Sequence, residues 1–116
     1  MKNLLKLEEA AEWILSIFLF SKLEFPWWWY PALILLPDIS MIGYVVNTKV
    51  GAVLYNLVHH KGVGITMAII GFSLSIQPLM LAGLILFGHS CMDRLFGYGL
   101  KYNDSFQHTH LGKIGK

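Results

Sequence analysis

The segment from Gly62 to Gly88 contains no ionisable side chain. Histidines lie just outside its two ends: His59, His60 and His89. A single helix over this segment would be about 40 Å long and would have to pass Pro78, which cannot donate a backbone hydrogen bond. The sequence therefore predicts two helices joined by a turn at 73–78.

The composition indicates a membrane protein. Of the 116 residues, 55% are hydrophobic and only 14% are charged, whereas soluble domains carry about 25% charged residues. The net charge of +2 and the scattered lysines do not form the basic patch that nucleic-acid binding requires. We therefore expect a small integral membrane protein that contacts lipids and does not bind nucleic acid.

The apolar segments predict an all-α fold, an integral membrane four-helix bundle in one domain over residues 1–116. The four spans are expected at Lys6 to Leu23, Trp27 to Val46 with a break or kink at Pro37, Thr48 to Leu74, and Gln77 to Gly97. Thr48 is a candidate cap for the third helix. Residues 98–116 are more polar and are expected to form a cytoplasmic C-terminal tail.

Lysine placement predicts the orientation. Four spans put both termini on one side, and the other side keeps only Lys22. The lysines on the side of the termini are Lys2, Lys6, Lys49, Lys101, Lys113 and Lys116. The positive-inside rule then places both termini in the cytoplasm, in the bacterial inner (plasma) membrane. The main alternative has three spans, with His59 and His60 on an interfacial amphipathic helix.

Polar residues of all four predicted spans share one depth. At 1.5 Å per residue, they lie about 17 to 24 Å from the outer ends of their helices. The residues are Glu12, Asp38, His59, His89 and Asp93. Burying a titratable group at bilayer depth costs free energy unless the group has a partner. This layer is therefore the expected functional site.

The types of side chain in this layer are typical of a metal site. His89 and Asp93 are four residues apart and therefore project from one face of a helix. Imidazole with carboxylate suits zinc, iron or manganese. The alternative is that the polar groups only hold helices together, with Asp93 paired to Arg94 or Lys61. His59 and His60 cannot both face the same neighbour, so one of them is expected outside the site.

The order and spacing of several motifs resemble those of a known family. They are LPDISMIGY at 36–44, YNLVH at 55–59, His89 with DRLFGYGLKY at 93–102, and THLG at 109–112. Together they resemble a bacterial family of small integral membrane proteins known only as domain of unknown function 4260. The resemblance covers nearly the whole chain and implies no established activity. It singles out Glu8, Asp38, Asn56, His59, His89, Asp93, Arg94 and His110.

A weaker similarity is to the membrane-bound metal-dependent hydrolases of bacteria. Those proteins also place Leu-Pro-Asp at a helix end and His-x-x-x-Asp on a later helix. They normally carry a His-Thr-His segment directly after the first acid, whereas the only such segment here is in the tail, at 108–110. This departure puts the number of metals and the hydrolase assignment in question.

The leading hypothesis is a metal-dependent membrane hydrolase acting on an anionic lipid or phosphorylated substrate. The metal ligands are expected to be Asp38, His59, His89 and Asp93. The catalytic candidates are Glu8 as ligand or base, with Glu12 as its alternative, Arg94 to position an anionic headgroup or phosphate, and His110 as a lid residue. The competing hypothesis is a non-enzymatic oligomeric channel, carrier or proton path, in which a homo-oligomer completes the pore.

Overall fold

The computed structural model describes residues 2–96, 108–109 and 111–113. Its elements are α1 (Lys2–Phe20), α2 (Trp29–Leu33), a 3-10 helix (Leu36–Val45), α3 (Thr48–His59), α4 (Lys61–Leu74), α5 (Gln77–Leu95), β1 (His108–Thr109) and β2 (Gly112–Lys113). The two-residue strands pair in antiparallel fashion. The predicted all-α architecture is confirmed for the described residues, apart from this short β pair.

Helix α5 is the centre of the packing. It contacts α1 and α4 along much of its length, and it also meets α3 and the 3-10 helix. Most of its residues from Met80 to Asp93 are buried, and Leu84 is only 1% exposed. Phe20 and Tyr30 complete this core from the neighbouring elements. Any polar side chain of α5 therefore lies close to several other helices.

Glycines allow α4 and α5 to lie unusually close together. A Cβ atom on Gly83 would lie 2.3 Å from the backbone nitrogen of Ala68, and one on Gly64 would lie 2.6 Å from that of Phe87. These separations are shorter than van der Waals contact, so the backbones meet where no side chain intervenes. This contact fixes the position of α5 beside α4.

The predicted turn at 73–78 is confirmed. Helix α4 ends at Leu74, and Ser75 adopts a left-handed conformation with φ of 57°. The Ile76 nitrogen then donates to the Gly71 carbonyl over 2.9 Å, which satisfies one of the free carbonyls at the helix end. Pro78 lies in the first turn of α5, where its missing N–H has no cost.

The third predicted helix is in fact two helices. His60 is extended, with φ −81° and ψ 120°, and its side-chain Nδ1 accepts a hydrogen bond from the Gly62 nitrogen over 3.1 Å. This contact caps a new helix, so α3 ends at His59 and α4 begins at Lys61. The prediction of one continuous helix from Thr48 to Leu74 is therefore wrong, because the helix is interrupted at His60.

The second predicted span is also divided. Its residues form α2 and then the 3-10 helix, in which Pro37 occupies the first turn. Asn47, rather than Thr48, caps α3, because its side chain accepts from the Val50 nitrogen over 2.8 Å.

The described helices differ from simple membrane spans. None of them is by itself both long enough and apolar enough to cross a bilayer. Helices α3 and α4 satisfy the length and composition criteria only as a pair, and they are bent by 44° at the break between them.

Candidate metal centre

Four polar side chains converge from three elements. Asp38 comes from the 3-10 helix, His59 from the last residue of α3, and His89 and Asp93 from α5. One ligand atom from each of these residues lies within 4.8 Å of the other three. The structure thus brings together the four residues predicted as metal ligands.

Each element contributes its side chain for a local reason. The spacing of four residues places His89 and Asp93 on the same face of α5, as predicted. The Asp38 nitrogen donates to the Leu35 carbonyl over 3.2 Å in the first turn of the 3-10 helix, which starts beside Pro37. Because α3 stops at His59, this imidazole lies at a helix end and can face both neighbouring elements.

Both imidazoles are oriented by backbone carbonyls. The His59 Nδ1 lies 2.9 Å from the carbonyl oxygen of Tyr55, and the His89 Nδ1 contacts that of Ile34. A carbonyl oxygen only accepts, so each Nδ1 must carry the proton. In the neutral imidazole the lone pair is then on Nε2, and both Nε2 atoms face the carboxylates. Metal-binding histidines are commonly fixed in this way.

The Nε2 atoms lie against carboxylate oxygens. His59 Nε2 is 3.4 Å from Asp38 Oδ1 and 3.5 Å from Asp93 Oδ2. His89 Nε2 is 3.0 and 3.4 Å from the same two oxygens. These atoms repel one another unless a cation or a proton lies between them, since all of them present lone pairs. Within the described residues, His59 Nε2 is buried without a hydrogen-bond partner.

Four of the six distances among the ligand atoms are close to those of a tetrahedral site. For zinc at about 2.0 Å from nitrogen and oxygen ligands, the edge of a tetrahedron is about 3.3 Å. The four imidazole–carboxylate distances are 3.0, 3.4, 3.4 and 3.5 Å. The four donors could therefore hold one divalent ion with little movement.

Exposure differs across the site. The side chains of His59 and His89 are each 1% exposed, and that of Asp93 is 13% exposed. That of Asp38 is 38% exposed. The face formed by Asp38 is therefore the side from which an ion or a second molecule reaches the centre.

Tyr55 supports the centre from one side. Its hydroxyl donates to Asp93 Oδ2 over 3.0 Å. Its ring also stacks on that of His59. It was not predicted as a site residue, although its spacing of four residues from His59 was a usable signal.

Arg94 lies at the edge of the centre. Both of its terminal nitrogens are 3.4 Å from the carbonyl oxygen of His59, and Nη1 is 3.3 Å from that of Ser90. A cation suits this position, because the last carbonyls of α3 have no partner within the helix. The guanidinium therefore stabilises the helix end that carries His59.

Other predicted candidates lie elsewhere. Glu8 is exposed on α1 and does not belong to the four-residue cluster. Glu12 instead lies in a second cluster with Glu9 and Cys91. His60 is exposed and caps α4, so only one of the adjacent histidines enters the centre. His110 falls outside the described residues.

A family model matches residues 2–114, and its description is "Domain of unknown function (DUF4260)". The chain belongs to this family. Searches of curated proteins and of solved structures find no match. The matched range includes the motifs at 36–44, 55–59 and 93–102, and the family description assigns no activity.

Proposed function

We propose that this protein is an integral membrane protein that binds one divalent metal ion, zinc, iron or manganese, between Asp38, His59, His89 and Asp93. The observation that carries the proposal is the orientation of the imidazoles: both Nδ1 atoms contact carbonyls, so both Nε2 lone pairs face the two carboxylates. A bound cation removes the repulsion among these atoms and satisfies the buried Nε2 of His59.

Exposed apolar side chains support the membrane location. They occur on α1, α3, α4 and the 3-10 helix, and examples include Leu7 at 66%, Val45 at 84% and Ile69 at 59% exposure. A soluble monomer rarely presents contiguous apolar surface on this scale. We propose four passages through the bilayer, of which the third is the bent pair α3 and α4, with both termini in the cytoplasm.

The proposed activity is hydrolysis of a lipid or phosphorylated substrate at the membrane surface. Zinc with an open coordination position would lower the pKa of a bound water to about 7, and any of the three ions would stabilise charge on a phosphoryl or carbonyl oxygen. Asp38 is the ligand that solvent reaches, so a substrate approaches from its side. Arg94 holds the His59 end of α3 and lies beside this centre.

Metal analysis tests the central proposal. We expect about one divalent ion per chain in protein purified under metal-replete conditions. His59→Ala should abolish stoichiometric binding, whereas His60→Ala, which changes the adjacent exposed imidazole, should keep it. Cobalt substitution should give the visible absorption of a tetrahedral site. Wild-type protein without stoichiometric metal, or equal losses in the two variants, would contradict the proposal.

A carrier or channel is the second candidate, and the number of ligands favours it over an enzyme. The cluster offers four protein ligands, whereas a catalytic zinc site usually has three and keeps its fourth position for water or substrate. Liposomes separate the two functions. Metal-dependent release of lipid products that is lost in Asp38→Asn supports the hydrolase, and metal or proton flux without product supports the carrier.

A further inference from the structure

A groove lies on the side of α5 that faces away from the metal centre. It has a volume of about 390 Å³ and is lined almost entirely by apolar atoms. Its walls come from α1, α4 and α5 and include Leu15, Ile65, Ile69, Phe72, Leu84 and Phe87. At 100° per residue, Leu84 and Phe87 lie on the opposite face of α5 from His89 and Asp93. The groove is therefore separate from the proposed metal site.

A charged cluster lies beyond one end of this groove. The Lys61 ammonium is 2.7 Å from Glu9 Oε1 and 3.0 Å from Glu12 Oε1. The Cys91 thiol is 3.6 Å from the same Glu12 oxygen. These contacts join α1, α4 and α5 at a single point.

Helical spacing places the cluster in line with the groove. Glu12 is three residues before Leu15 on α1, and Lys61 is four residues before Ile65 on α4. On α5, which supplies the floor, Cys91 follows Phe87 by four residues. On each helix this spacing puts the polar residue one turn further along the same face. The groove and the cluster thus form one amphipathic surface.

The described side chains of this cluster are one positive charge short of neutrality. Among them, two carboxylates share the single ammonium of Lys61, so a net charge of −1 remains. Glu9 Oε2 is also buried, and no hydrogen-bond donor reaches it from the described part of the chain. A second ammonium beside the Glu12 side chain, which is 34% exposed, would supply the missing charge. An anionic group would instead meet two carboxylates.

We infer that this surface binds a lipid whose headgroup carries an ammonium, with an acyl chain in the apolar groove and the ammonium beside Glu9 and Glu12. The inference shares with the proposed function only the membrane location, because the groove and the metal centre lie on opposite faces of α5. Such a lipid would connect α1 and α4, which both pack on α5, rather than serve as a substrate.

Native mass spectrometry of the detergent-solubilised protein tests this inference. The probes are phosphatidylethanolamine and phosphatidylglycerol with identical chains, which both carry a phosphate but differ in the ammonium. We expect the ethanolamine lipid to bind about tenfold more tightly, as for one charge-assisted hydrogen bond. Equal binding of the two lipids, or preference for the glycerol lipid, would overturn the inference.

Matched variants locate the binding surface. Glu12→Gln should remove most of the headgroup preference, whereas Glu8→Gln makes the same charge change on an exposed neighbour and should leave it unaltered. Ile69→Trp should block the groove, whereas Ile70→Trp changes an exposed isoleucine that does not line it. Equal effects within either pair would contradict the site. The site would also be contradicted if the wild-type protein formed an oligomer without bound lipid and Ile69→Trp dissociated that oligomer. A second copy of the chain would then occupy the groove.

Discussion

The ring of Tyr55 lies parallel to the imidazole of His59, with ring centroids 3.8 Å apart and an interplanar angle of 3°. The Tyr55 hydroxyl also donates to Asp93. One side chain therefore holds two of the proposed ligands, from two different helices.

Tyr55→Phe should weaken metal binding while keeping the stacked ring. Loss of a hydrogen bond to a ligating carboxylate typically lowers metal affinity about 10- to 100-fold. Competition with a chromophoric chelator measures this change. Tyr30→Phe is the matched control, since the Tyr30 hydroxyl pairs with Ser16 at 2.5 Å, outside the four-residue centre. Equal loss of affinity in both variants would argue against a specific role for Tyr55.

Metal should raise the thermal stability of the protein. An ion that binds only the folded state stabilises it by about 2.7 kcal/mol when its free concentration is a hundred times the Kd. We expect zinc to raise the midpoint of thermal unfolding in detergent and a chelator to reverse the effect. His89→Ala should not respond to zinc. A response of this variant equal to that of wild type would place the bound metal elsewhere.

The sequence was sufficient to predict that Asp38, His59, His89 and Asp93 meet, and local rules explain part of this result. The His89 and Asp93 pair follows from helical spacing alone. The approach of Asp38 and His59 follows from helix lengths, given the turn before Pro78. That turn was predictable because proline is tolerated in the first turn of a helix but not in its middle.

The break at His60 was not predictable from periodicity. The apolar pattern continues through Gly62, and the break depends on the cap formed by the His60 side chain and on the approach of Arg94 from α5. Such contacts exist only after the helices pack. The same holds for Tyr55, whose hydrogen bond reaches a residue 38 positions away.

Arg94→Gln should lower stability, because it removes the cationic donors beside the carbonyl of His59. Hydrogen bonds from charged groups contribute about 1.5 to 3 kcal/mol. At 3.4 Å we expect the lower end of this range. Chemical unfolding in detergent measures the loss, and Arg94→Lys should retain part of the stability. If Arg94→Gln is as stable as wild type, the guanidinium does not stabilise the fold, and its only remaining role is the proposed contact with an anionic substrate.

Lys61→Met should destabilise the fold by about 1 to 3 kcal/mol, because two partly buried carboxylates lose their cation. The double variant with Glu12→Gln should be less destabilised than the sum of the single changes, since one charge then disappears. A double-mutant cycle measures this coupling. Strict additivity would show that the Lys61 and Glu12 charges do not interact.

Gly83→Ser should disrupt the contact between α4 and α5. A Cβ there would lie 2.3 Å from the backbone nitrogen of Ala68, so a helix must shift. Overpacking of this kind costs about 1 to 3 kcal/mol. Ala82→Ser introduces the same side chain at the preceding, half-buried position and should have a smaller effect. Equal stability of the two variants would show that the helices separate easily.

A single residue separates α3 from α4, and it lies between a proposed metal ligand and the cation of the lipid-binding surface. An insertion or deletion at this point would change the path of the chain between the two helices and displace one of these residues relative to the other. His60 itself is exposed, and other side chains that accept a hydrogen bond from the Gly62 nitrogen could replace it as the cap of α4. The number of residues between His59 and Lys61 is therefore expected to tolerate less change among relatives than the identity of the residue between them.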